Sequence, residues 1–467
     1  MLRASEICER AGYPASSLVC EGFLSQAAAT RVGLGYPNMP VATIVGHPGA
    51  QSIAEIRRNA AEVTAAEVIA NLTVQPDEVV LEDEPGARDI VFEGSFEEVN
   101  DFFYDREWSD GLPIVPPTPE KIAEFLSYTD RDPNETLGIV LPESRAVTIW
   151  SIAVNGVMAG CRPEYMPILI ALGEAMADPI YGVEHSGNTP GSETLIILNG
   201  PIIKQLGFNY TQGVLRDGFK PNTSVGRFWR LALRNIAGFR LHKTDKGCFG
   251  NTFRVVLAEN EDSLAGMGWP SNAADMGFRT GDNTVTITRM TGGDVLPSVT
   301  GATPEAMMPY LADGVAKETG WEISFTVGGL TFGTLRPALV LSPILAETIA
   351  KAGWSKDDVK QYLYDHARME AGRIETMMNV WTEFKIDSLK HQVMLGRLPK
   401  DFAESDDPKR MVPIVTRPDE FMVLVSGDPL RTNAYAFAHN GYLGFPVAKK
   451  IALPEDWEDR IAGSVRS

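Results

Sequence analysis

Two side chains near the start of the sequence have the chemistry of a catalytic pair. Cys20 closes the apolar run Ser16–Cys20 (SSLVC), and His47 follows Pro40–Val45 (PVATIV) and precedes Pro48-Gly49. A thiolate is a strong nucleophile, and a thiol placed where a strand hands over to a helix has its pKa lowered by the helix's positive end. An imidazole titrates near neutrality, so His47 can serve as a general base or donate a hydrogen bond to a substrate carboxylate. Each also has a plain structural role open to it. A free cysteine packs as a small hydrophobe, and a histidine before Pro-Gly can simply fix a turn. Glu21, next to Cys20, works against the thiolate.

Further along, Cys161-Arg162-Pro163-Glu164-Tyr165 follows an apolar helix ending in Ala159-Gly160. Gly160 suits a left-handed helix cap, and Pro163 with Glu164 suits the first turn of the next helix. Arg162, between two helix ends, is placed to grip a carboxylate through two parallel bonds. Glu164 is the candidate acid–base residue here and Tyr165 a candidate substrate contact, whereas Cys161 reads as packing. Asn155 and Asn199 sit inside apolar segments, where an unbonded amide costs about 1–3 kcal/mol; both are candidates for a ligand network, with a turn role open to Asn199. Arg227, Arg230 and Arg234 share one helix face behind Ser224, a suitable N-cap. Arg227 is the candidate anion contact, and pairing with acids is the alternative for all three. Glu259 and Glu261 follow a strand and are paired as carboxylates that bind a metal or move a proton would be. His185, His242 and Cys248 lie in glycine-rich loops, but among six histidines none forms H-x-H or H-E-x-x-H, so no metal site is expected. The stretch 328–333 (GGLTFG) lacks the lysine of a phosphate loop, and no cofactor is indicated.

The elements that position Cys20 and His47 alternate: helix 3–11, strand to Cys20, helix 22–34, strand 40–45, and helix 53–72 opened by a Ser52/Glu55 capping box. Such alternation gives parallel strands with crossover helices, and ligands gather beyond the carboxyl ends of those strands. Both residues lie at those ends. The expected organisation is a small α/β module (1–75), an acidic linker (76–92), and a large α/β domain (93–467) with room for two lobes. In the large domain strands are expected at 193–199, 252–258, 284–288, 337–341 and 421–426. Helices are expected at 146–160, 163–177, 224–237, 304–317, 343–352, 356–367 and 370–391. No fixed-period repeat is visible.

A chain of 467 residues with 44% hydrophobic and 22% charged residues exceeds one ordinary core and has a soluble profile. A net charge of −19 argues against nucleic acid or an anionic membrane as partner. No apolar run is long enough to span a bilayer, and no signal peptide opens the sequence. Four cysteines without a C-x-x-C pair suit free thiols in the cytoplasm.

The stretch ICERAGYPASSLVCEGF, with VGHPG and NLT behind it, resembles the α/β module of UGSC-motif proteins and is more distantly similar to the selenoprotein B subunits of glycine and proline reductases. In those proteins a redox turn precedes a helix carrying Glu-x-x-Gly-Ile-Pro, and a His-Pro-Leu-Gly segment follows. Glu9, Gly12 and Pro14 stand for the first signature here, and His47-Pro48-Gly49 for the second. The segments DGLPIVPPT, AVNGVMAGCRPEYMP, LNGPI, NTSVGRFWRLALRNIAG and AENE resemble the longer C-terminal part of large UGSC-type proteins. The sequence opens on the helix that follows the family's redox turn. The resemblance therefore implies either a small partner subunit supplying that strand and turn, the favoured expectation, or Cys20 as substitute nucleophile. It also implies thiol- or selenol-type cleavage of a carbon–heteroatom bond on a small carboxylate-bearing molecule, an oxidoreductase or lyase activity, carried out in an oligomer. A metal-dependent lyase or hydrolase on the same scaffold and a non-catalytic scaffold subunit are the other classes.

Overall fold

The computed structural model describes residues 2–76, 84–252, 255–328, 335–382, 384–439 and 443–464. The chain is α/β. At its start, β1 (Ser17–Cys20) and β2 (Val41–Ile44) pair in parallel, Ser17 opposite Val41 and Cys20 opposite Ile44. Helix Leu24–Gly33 makes the crossover, and helices Leu2–Arg10, Ile53–Asn59 and Ala65–Thr73 complete the module. Ser52 caps the third of these with Glu55 in the expected reciprocal box, and the helix runs on through a π-helical turn, Ala60–Thr64.

A hairpin, β3 (Thr136–Val140) with β4 (Arg145–Thr148), opens the large domain's strands. Its main sheet contains β5 (Glu193–Asn199), β6 (Val256–Ala258), β7 (Thr284–Leu296), β8 (Ala338–Leu341), β11 (Met422–Val425), β12 (Ala434–His439) and β13 (Val447–Lys450). A separate short pair joins β9 (Arg368–Glu370) to β10 (Met411–Pro413). The main order is β11-β8-β12-β7-β5-β6, with β13 also on β7. This order contains the same arrangement twice. A strand (β5 or β8) has a parallel neighbour outside it (β6 or β11) and an antiparallel neighbour inside it (β7 or β12). The two units meet where β7 pairs with β12. No sequence period betrays this, because the connections between corresponding strands differ in length.

The sheet curls until its outer strands touch. Beyond β6 the amide of Asn260 donates to the carbonyl of Val425 at 2.8 Å, and Ser426 Oγ donates to the carbonyl of Ala258 at 2.7 Å. The side-chain clusters follow from this curl. Ile196, Leu198, Val285 and Ile287 pack against helices Ile149–Met158, Met166–Ala177 and Lys220–Ala232, whereas Leu339, Leu341, Val423 and Ala436 pack against helices of the second unit. Leu195, Ile197, Leu257, Val340, Leu424 and Phe437 from both units share one cluster, so theirs is the concave face.

Most expected elements are present; among the described residues the strand expected at 252–258 is shortened to Val256–Ala258, and three further differences stand out. The helix expected from Ser224 begins at Lys220, and Ser224 Oγ bonds back to the Lys220 carbonyl inside it. The segment 370–391 is broken into helix Ala371–Thr376, a π-helical turn and helix Leu389–Met394. The strand expected at 284–288 continues to Leu296 through Gly292-Gly293. Beyond Gly328, the glycine-rich stretch 328–333 lies outside the described residues, as do 77–83 of the acidic segment.

Candidate functional site

Cys20 ends β1 in extended conformation and enters a 3-10 turn, Glu21–Phe23, ahead of helix Leu24–Gly33. The exits of the two strands are clipped together: the Glu21 carboxylate accepts from the amide of Gly46 at 3.1 Å, and Gly46 takes the left-handed φ of +66° that turns the chain toward His47. His47 is exposed, and its Nδ1 accepts the amide of Gly49 at 3.1 Å. With Nδ1 engaged as an acceptor, Nε2 is the nitrogen left to face a ligand. The thiol and the imidazole thus belong to the same carboxyl edge of a two-stranded parallel sheet.

This edge faces two loops of the large domain. Ser25, one turn past Cys20, donates to the carbonyl of His242 at 3.0 Å, and Lys246 Nζ reaches Ser25 Oγ at 2.9 Å. Arg3, at the start of the first helix, pairs with Glu184 at 3.3 Å. The loops holding these partners are zipped together, Lys246 N to Gly187 O and Cys248 N to Thr189 O, each at 3.0 Å. Glycine is required for that closeness: a Cβ on Gly187 would lie 2.5 Å from the Thr244 carbonyl oxygen. His242 holds a left-handed φ of 63°, an unusual conformation for a non-glycine residue. His185, in the partner loop, keeps an exposed edge. Partial burial lowers its pKa, with Arg289 and Arg3 acting the same way against the pull of Glu184, so it is neutral at neutral pH.

The motifs singled out in the large domain gather elsewhere, around the proline-rich loop 107–118. Arg227 holds Asp110 through two bonds of 3.0 and 2.8 Å and also reaches the carbonyls of Leu112 and Pro113. Arg234 binds the carbonyl of Glu107, and Asn235 binds that of Trp108. Asn155 gives its Nδ2 to Ser151 and accepts from Asn235 at 2.9 Å, so both ends of its amide are engaged within the protein. Arg230 pairs with Glu193 and Asp245. Cys161 is buried behind this helix, and burial pushes its thiol up to about 12 despite a bond with Ser224. Arg162 is exposed and stands 3.6 Å from the buried Glu164; Tyr165 is buried against Phe208. Burial raises the Tyr165 phenol above its ordinary pKa.

Asn199 belongs to a third group, at the carboxyl ends of the parallel strands β5 and β6. Its Nδ2 donates to Glu259 at 2.7 Å and to Glu261 at 2.9 Å, which joins Asn199 to the carboxylate pair that the sequence offered apart from it. Glu259 also accepts the amides of Asn272 and Val425, and desolvation raises its pKa although Lys356 Nζ lies 4.0 Å away. Both carboxylates line a cavity of about 510 Å³ with Lys204, Tyr210, Asp262 and Trp269. The Oδ1 of Asn199 and the Oγ1 of Thr284, on directly opposed residues, are buried without partners among the described residues. Lys246, Ser25 and Lys356 carried no signal in the sequence, since an isolated lysine or serine in a loop or helix has no pattern to mark it.

The site's class is thus an α/β protein with a thiol and an imidazole at the carboxyl edge of a parallel strand pair. The UGSC family matches residues 2–74, the segment that forms this edge. The match supports the resemblance to UGSC-motif proteins over that segment and lends nothing to the more distant likeness to reductase selenoprotein B subunits. No curated protein and no solved structure matches the chain. Among the described residues no helix is long and apolar enough to cross a membrane, and no three His, Cys, Asp or Glu side chains are grouped to hold a metal ion.

Proposed function

We propose that this chain is an enzyme subunit performing thiol-type cleavage of a carbon–heteroatom bond in a small carboxylate-bearing molecule, bound where the module meets the large domain. Cys20 attacks the carbon and the heteroatom group leaves, taking its proton from solvent, with His47 donating a hydrogen bond to it from Nε2. An external dithiol then attacks the bound sulfur, releasing the carbon with a proton and returning Cys20 to the thiol as the dithiol is oxidised. Lys246 and Arg3 supply positive charge for the carboxylate. The observation that carries the reading is the contact of Ser25 with His242 and Lys246, which sets the loops of the large domain against the Cys20 end of β1. The family match over residues 2–74 supports the same edge. The test is a mass-spectrometric comparison of small carboxylates from the source organism, incubated with dithiothreitol and either wild-type protein, Cys20→Ser or His47→Ala. Wild type depletes a carboxylate, Cys20→Ser loses that turnover by two orders of magnitude or more, and His47→Ala loses a large part of it. Equal turnover by all three rejects the reading.

A second reading, acid–base lyase or hydrolase chemistry, rests on the cavity beyond β5 and β6. A buried carboxyl of raised pKa, Glu259, stands there beside Glu261 on a shared Asn199. Loss of turnover in Glu261→Gln with Cys20→Ser unaffected selects it.

A further inference from the structure

The module has not finished burying its own apolar surface. Its buried hydrophobic side chains are Val19, Ala27, Met39 and Ala42, while Tyr13, Leu18, Ile53 and Ile69 are exposed. Among the described residues β1 has one neighbour, β2, and its other edge is open. Open edges in stable monomers are guarded by charge, proline or a bulge, because a bare edge recruits another strand. Ser17-Leu18-Val19-Cys20 has none of these guards, and Leu18 is 37% exposed.

We propose that this edge docks the same edge of a second copy of the chain. The two β1 strands run antiparallel about a two-fold axis, and the two module sheets join as β2-β1-β1-β2. Charge selects this occupant. Residues 2–76 contain five basic and six acidic side chains, so the module is close to neutral within a chain of −19. Copies approaching through the rest of the surface bring two strongly acidic bodies together, whereas module-to-module contact does not. A two-fold contact must also be self-complementary, and an uncharged strand edge pairing with itself meets that condition directly. Each Cys20 then stands across the axis from the start of the other copy's β1, so both candidate sites flank a single joint.

The inference does not rest on the thiol reading, because pairing uses backbone groups and Cys20→Ser leaves it intact. The experiment is sedimentation of the full-length chain at roughly micromolar concentrations, for wild type, Cys20→Ser and Leu18→Lys. Wild type and Cys20→Ser sediment as two 50.9 kDa chains, and Leu18→Lys raises the dimer dissociation constant at least about tenfold. In the Cys20→Ser background, Leu18→Cys forms a dimer linked through position 18 on mild oxidation, identified by peptide mapping; this arm decides the matter if Leu18→Lys folds poorly. A monomeric wild type, a dimer untouched by Leu18→Lys with no link through position 18, or a different, smaller chain occupying the edge in protein isolated from its host overturns the proposal.

Discussion

His47 commits one ring nitrogen to Gly49 and keeps the other for donation, so its hydrogen-bonding direction is set before any ligand arrives. Glu322 shows the opposite economy. It is fully buried in the turn after helix Pro304–Thr319, and the Thr291 hydroxyl donates to it at 2.6 Å while Oε2 has no partner among the described residues. Desolvation lifts its pKa well above 4.5, so the folded protein keeps a proton that the unfolded chain releases. The sign follows: this contribution to stability is complete below the unfolded pKa and is lost as pH rises toward the folded one. Glu322→Gln keeps the shape and removes the titration. Its melting temperature is expected to match wild type near pH 4 and to exceed it by roughly a few degrees at pH 8. Melting curves across that range check it, and a constant difference from wild type would rule the mechanism out.

At the scale of elements, the arginine face of helix Lys220–Ala232 is a clamp for a loop. Arg227 and Asp110 are both largely buried, 16% and 9% exposed, and breaking such a pair costs about 3–5 kcal/mol. Arg227→Ala is therefore expected to lower the melting temperature and open 107–118 to limited proteolysis. Arg227→Lys should rescue little, because an ammonium cannot hold Asp110 by two bonds and the two carbonyls as well. Strands rich in β-branched and large apolar residues, such as Glu193–Asn199, were legible from composition alone. Ala434–His439 (AYAFAH) was not, because alternating alanines fit a strand only where β7 and β8 already flank it. The parallel module and the clustering of Cys20 and His47 at one edge were likewise legible, since alternation of elements dictates them. The opposition of that edge to Lys246 was not. It is a contact between residues 221 positions apart, and no local pattern encodes it.

Across the whole molecule a buried cation adds a further tie between the two units of the curled sheet, beside the β7–β12 ladder and the touching outer strands. Lys356, from the second unit, donates to Asp275 at 2.9 Å and to the Pro270 carbonyl at 2.8 Å, and it stands 4.0 Å from Glu259 at the exit of β6. Lys356→Met leaves buried Glu259 without its cation, whereas Asp275 keeps Lys360 at 3.9 Å, and is expected to destabilise by several kcal/mol. Glu259→Gln in the same chain should restore part of the loss, with a coupling of about 0.5–3 kcal/mol in a double-mutant cycle by chemical denaturation. Strict additivity would show that Lys356 and Glu259 are not coupled. The same sheet also constrains synthesis. Thr284–Ile287 of β7 receives its neighbour on one side from Val447–Lys450, encoded more than a third of the chain later. During translation the middle of this sheet therefore waits, half-paired, until the segment around Val447 has left the ribosome. A message cut short just before Val447 would release a polypeptide with an open β7, a natural target for chaperones and proteolytic quality control.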